Sequence, residues 1–121
     1  MTNKEYFMRN NLIQSMRFSN RSGSHKNCFR YHQNNTDEHE DTKYQVYKKL
    51  IKSGFEVWTE AIFSNGTRAD IVAIFGGKGY IVEILHSESD ASFELKKTKY
   101  PKEFMLIKIK TKDFNVEEFE I

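Results

Sequence analysis

At 121 residues with 38% hydrophobic content, the chain has apolar material for one small core and no second domain. No run approaches the ~20 apolar residues of a membrane span, and the opening Met1-Thr2-Asn3-Lys4-Glu5-Tyr6 lacks a signal-peptide core, so a soluble, cytoplasmic protein without membrane partners is expected. Charge is uneven: residues 1–35 hold six Lys and Arg against one acid while the remainder is mildly acidic, which suits either a nucleic-acid partner or a solubilising disordered tail.

Residues 1–34 read as a basic, Asn-rich N-terminal arm that is expected to add little to the core and much to nucleic-acid affinity. Within it Met8, Leu12 and Met16 recur at four-residue steps, the pattern of a short amphipathic helix or docking stripe, and Ser19 to Ser24 is turn-rich. His25, Cys28 and His32, with His39 beyond, have metal-compatible spacing but no Cys-x-x-Cys half, so a structural zinc is not expected. Cys28 is the only cysteine, which excludes an intramolecular disulfide and is compatible with a reducing compartment.

Asn35 to Ser53 predicts a helix: Thr36 or Asp37 caps it, Glu40 stands three after Asp37, acids crowd the first turn, and Gly54 follows the end. Val46, Tyr47 and Leu50 define its inner face, and the same stripe runs back through Lys43 and His39. Polar groups there indicate either a site at the end of a sheet or a helix rim where Lys43 snorkels and His39 caps. Phe55 to Phe63 predicts the first strand, with Glu60 on the parity of Trp58 and Ile62, and Ser64-Asn65-Gly66 is a hairpin turn. Glu60 is read as an extra metal ligand or as the partner of a neighbouring base.

Ala69 to Phe75 and Tyr80 to Leu85 are apolar at both parities and bounded by glycines, as expected of central strands covered on both faces. Each run carries one acid, Asp70 and Glu83. A buried carboxylate without a partner costs on the order of several kcal/mol or takes up a proton. A divalent cation with oxygen ligands would neutralise both, so the two are expected to converge; the alternative is an ion pair between Asp70 and Arg68, which share a strand face. Ser87-x-x-Asp90 then opens a helix through about Tyr100 with Lys96 and Lys97 in its later turns, stopped by Pro101. Phe104 to Ile109 predicts a fourth strand and Phe114 to Ile121 a short edge strand.

Asp70 on one strand, a turn, and Glu83-Ile84-Leu85 on the next resemble the PD-(D/E)XK nuclease superfamily. Thr36-x-x-His39-x-x-x-Lys43, Arg68-Ala69-Asp70 and Glu83-Ile84-x-x-Ser87 resemble its competence-protein CoiA-like branch, as does Arg21-x-Gly23-x-x-Lys26-x-Cys28-Phe29-Arg30-x-His32. Leu85 stands where the superfamily usually carries Lys and this branch Gln. The resemblance implies an α+β, small restriction-endonuclease-like core of helix, three strands, helix and strand over residues 35–121. It further implies a Mg²⁺ or Mn²⁺ ion held by Asp70, Glu83, the Ile84 carbonyl and Glu60 or Glu40, and hydrolysis of DNA phosphodiester bonds. His39 and Lys43 join Asp70 and Glu83 as catalytic candidates. Lys43 takes the cationic role that Leu85 cannot fill, and Lys43→Ala is expected to abolish cleavage while sparing folding. Arg21, Arg30, Arg68, Lys96 and Lys97 are candidate phosphate contacts. Leu85 keeps open a non-catalytic nucleic-acid-binding module, and a protein-interaction role is a third reading; a homodimer is compatible with all three.

Overall fold

The structure is a computed structural model that describes residues 1–17, 25–85 and 90–121. Thr2 caps the first helix, α1 (Asn3–Gln14): its hydroxyl accepts from the Glu5 N–H while the Glu5 carboxylate accepts from the Thr2 N–H. Two otherwise orphaned donors are thereby satisfied. Thr36 caps the second helix, α2 (Asp37–Lys52), through the His39 N–H, which frees Glu40 from the capping role expected of it. Three strands follow, β1 (Glu56–Ile62), β2 (Arg68–Phe75) and β3 (Lys78–Leu85), then helix α3 (Asp90–Lys97) and strand β4 (Phe104–Lys110).

The sheet has the order β1-β2-β3-β4. β1/β2 and β2/β3 are antiparallel hairpins, whereas α3 carries the chain back so that β4 lies parallel to β3. A parallel neighbour requires such a crossover. The β2–β3 turn has only two residues, Gly76 and Gly77, with φ of 58° and 80°. That is the left-handed pair a tight hairpin demands, and a Cβ on Gly77 would stand 3.2 Å from the Glu5 Cα of α1.

α2 covers one face of this mixed sheet, burying Val46 and Leu50 against Val57, Ile71, Val82 and Ile84. On the other face Leu12 and Met16 pack with Trp58, Phe63, Val72, Ile74 and Ile81. Central strands apolar at both parities are the consequence of this double covering. The expectation that residues 1–34 add little to the core is therefore corrected: Leu12 and Met16 belong to it, while Met8 of the same stripe stays exposed. Arg9 also spends its charge within the domain, on Glu56 at 2.6 Å. Farther on, Asn27 exchanges hydrogen bonds with the Val57 backbone, Cys28 bridges Trp58, and the Arg30 N–H donates to Thr59 Oγ1, so the chain follows the free edge of β1. Met16→Ala is expected to cost about 2–4 kcal/mol in urea unfolding, the usual loss for a fully buried Met; a change below ~0.5 kcal/mol would show that this end of the chain is not part of the core.

The tail also departs from expectation. Residues 114–121 form no strand; a 3₁₀ turn (Thr111–Asp113) redirects the chain so that Phe114 and Phe119 pack against the α2 face. Lys49 holds this return through the Val116 carbonyl at 2.6 Å. Among the described residues, no helix is long and apolar enough to cross a membrane.

Candidate functional site

One acid from each of the three antiparallel strands falls on a single line across the sheet. Between the Thr59–Ile71 and Ala61–Ala69 pairs, Glu60 lies opposite Asp70; one step beyond the Ile71–Val82 pair, Asp70 lies opposite Glu83. Glu83 is in turn in register with Lys108 of β4. Glu60 has a φ of 52°, a left-handed conformation that a Cβ-bearing residue adopts at a cost of roughly 1–3 kcal/mol. Strand alternation changes sense there: Trp58, Ala61 and Phe63 all enter the α1-side cluster. The simple parity assigned to Glu60 is thus corrected, because the backbone turns at that residue.

Asp70 stands opposite Glu83 across the β2/β3 pair, and Glu83 helps to hold its pKa down. It also accepts from the Ile84 N–H at 2.8 Å, and His39 Nε2 lies 3.4 Å from Oδ2. Burial acts to raise the Asp70 pKa, but hydrogen bonds from His39 and Glu83, the nearby His39 charge and the Ile84 N–H outweigh it and bring it down to about 2. On the other side, the Tyr100 hydroxyl contacts Glu83 Oε1 and lies 3.0 Å from the Arg68 carbonyl oxygen. The pair is therefore held from both ends, by a helix residue and by a residue just before β4.

The lowered pKa has a measurable consequence. A carboxylate whose native pKa lies below its ordinary value of 3.8 contributes stability above that value and loses it as the pH falls through about 2. The displacement corresponds to ~2 kcal/mol. In urea unfolding, the stability advantage of wild type over Asp70→Asn is expected to shrink by that amount between neutral pH and pH ~2; a gap independent of pH would contradict the charged, hydrogen-bonded state of Asp70.

Lys43 is 0% exposed and points inward, which removes the snorkelling alternative. Its ammonium does not rest on Asp70 and Glu83, however. It donates to the Arg30 carbonyl (2.9 Å), Glu40 Oε1 (3.0 Å) and Glu60 Oε2 (3.2 Å), so its three protons are taken. A buried ammonium selects the geometry that pairs and hydrogen-bonds it most completely, and two flanking carboxylates with a carbonyl achieve this. Glu40 Oε2 has no well-aligned hydrogen bond, yet Lys43 Nζ is 2.6 Å away, so the oxygen is ion-paired rather than orphaned. His39 Nδ1 is buried with no hydrogen-bond partner among the described residues.

The remaining candidates scatter. Glu60 accepts from Lys43, and the Ile84 N–H donates to Asp70. Arg68 hydrogen-bonds His32 Nε2 at 2.9 Å in place of an ion pair with Asp70. Arg30 is half-buried at the rim, with its guanidinium 3.5 Å from the Glu60 carbonyl. Lys96 and Lys97 end α3, where Lys97 reaches Glu94 at 4.0 Å. Arg21 and the proposed cap Ser87 lie outside the described residues. Tyr100 and His32 were missed as contacts: a lone aromatic before Pro101 and a histidine in a loop carry no periodicity, and only the strand crossing brings them to the site.

Among the described residues, no three His, Cys, Asp or Glu side chains are arranged to hold a metal ion. A Mg²⁺ ion does not need three: it is commonly held by one or two carboxylates, with water and phosphate completing the shell. Asp70 and Glu83, two carboxyls opposite each other on adjacent strands, are chemically suited to such a cation. The chain matches no family model, and no curated protein and no solved structure shows significant similarity to it.

Proposed function

We propose that this protein is a Mg²⁺- or Mn²⁺-dependent nuclease that hydrolyses DNA phosphodiester bonds, on a PD-(D/E)XK, restriction-endonuclease-like core of the CoiA-like kind. The observation that carries the reading is the convergence of Asp70 and Glu83 on adjacent buried strands. The order helix, three antiparallel strands, helix and parallel strand agrees with that core. A bound divalent cation would polarise the scissile phosphate and lower the pKa of water. Asp70 and Glu83 hold that cation in this reading, His39 and the Ile84 N–H orient Asp70, and Tyr100 orients Glu83. Lys43 fixes Glu40 and Glu60 at the rim.

A second reading is favoured by a specific observation. Leu85 is buried and uncharged, and the Lys43 ammonium is already engaged by two acids and a carbonyl. Both features suit a nucleic-acid-binding module without chemistry. Incubation of supercoiled plasmid with Mg²⁺ or Mn²⁺ separates the two. Nicking that EDTA stops supports the nuclease; binding without nicking supports the module; failure of both removes the nucleic-acid reading.

A further inference from the structure

We propose that the protein binds single-stranded DNA by stacking an unpaired base on Tyr31, at the rim of the candidate site. As a statement about substrate, this rests on the nuclease reading; as a statement about contact, it stands on the geometry of residues 29–32.

Tyr31 is 63% exposed, yet the chain on either side of it is tied down. The Arg30 N–H donates to Thr59 Oγ1 at 2.7 Å, and the Arg30 carbonyl accepts from Lys43 at 2.9 Å. The His32 N–H donates to Glu40 Oε1 at 2.5 Å, and the His32 ring meets Arg68 at 2.9 Å. The same charged cluster that borders Asp70 therefore sets the backbone that carries the exposed ring. An aromatic on a fixed backbone gives large contact area for little loss of conformational freedom, which is how tyrosine serves binding surfaces.

The neighbours have the chemistry of a polynucleotide strand. Arg30 precedes Tyr31 in the chain, and the Arg68 guanidinium reaches the ring of its other neighbour, His32. Two residues earlier, Phe29 packs edge-on to Tyr44 and Tyr47 at 5.0 and 5.5 Å. Tyr44 is itself 44% exposed, with Lys48 Nζ 4.7 Å from its ring centroid. Exposed rings interleaved with cations bind single strands because every base offers a π-face and every linkage a phosphate. In duplex DNA both faces of an internal base are covered by its neighbours, so a ring at the rim has nothing to stack on. The arrangement consequently selects strands with free bases.

Fluorescence anisotropy with a labelled oligothymidylate and a blunt duplex of equal length, both in EDTA, tests this without cleavage. The single strand is expected to bind at least ~10-fold tighter than the duplex, and Tyr31→Ala to weaken single-strand binding by roughly 5- to 100-fold, with Tyr31→Phe close to wild type. Circular dichroism should show Tyr31→Ala folded, since the ring is exposed. Equal affinity of Tyr31→Ala and wild type, preference for the duplex, or no binding of either DNA overturns the proposal. Single-strand binding through Tyr31 with no metal-dependent cleavage would retire the nuclease and keep this contact. Cleavage of single-stranded DNA unchanged by Tyr31→Ala would keep the nuclease and retire the contact.

Discussion

Glu83→Gln is expected to reduce Mg²⁺-dependent DNA cleavage by ~10²-fold or more, the typical effect of removing one preorganised charge-stabilising group, while leaving the folding free energy within about 1 kcal/mol of wild type. The asymmetry follows from what a neutral amide can and cannot replace. Glu83 Oε1 accepts from the Tyr100 hydroxyl, and a Gln carbonyl at the same place also accepts, so the apo site keeps that hydrogen bond. What Gln cannot do is present an anionic oxygen to a cation. Plasmid nicking paired with urea unfolding on the same preparation checks both halves. Cleavage at the wild-type rate would remove Glu83 from the metal site, and a large loss of stability would show that its charged form is needed for folding.

Lys43→Ala should destabilise the protein by roughly 3–5 kcal/mol, because it leaves Glu40 and Glu60 buried with no counter-ion. The sequence suggested that this substitution would spare folding; the pairing seen here reverses that part of the expectation. Replacing all three together, Lys43→Met with Glu40→Gln and Glu60→Gln, removes the charges as a set and is expected to recover most of the loss, within about 1–2 kcal/mol of wild type. Thermal or urea unfolding of the two variants decides it: equal destabilisation of single and triple variants would mean that the ion cluster is not the source of the effect. Nicking by the triple variant then has a clear meaning. Stability restored without cleavage assigns the cluster a role in chemistry beyond holding the rim, and cleavage restored with stability confines Lys43 to positioning.

α2, the two hairpins and the fourth strand were legible because their signals are local. A Thr36 cap, Gly54 after the helix, Ser64-Asn65-Gly66 and Gly76-Gly77 act within a few residues, and the chain obeys them. Asp70 and Glu83 were legible for a different reason: one acid in an otherwise apolar strand must be compensated, wherever the strand lies. Charge counting misled over the N-terminal segment, since it weighs every residue alike whereas docking depended on two, Leu12 and Met16.

What the sequence by itself determined is α2, the four strands, the double covering of the central ones and the placement of one acid in each of β2 and β3. Which charge answers which was decided only in three dimensions. Lys43 has Glu40 three residues away, the Arg30 carbonyl thirteen and Glu60 seventeen, and it takes all three because the edge segment, α2 and β1 cross at one point. Tyr100 reaches Glu83 only because α3 returns the chain parallel to β3. Glu60 turns left-handed only where its opposite number is Asp70. Capping, turn and helix preferences extend over one turn of chain, but the partner of a buried charge is chosen by distance in space, and strand register sets that distance.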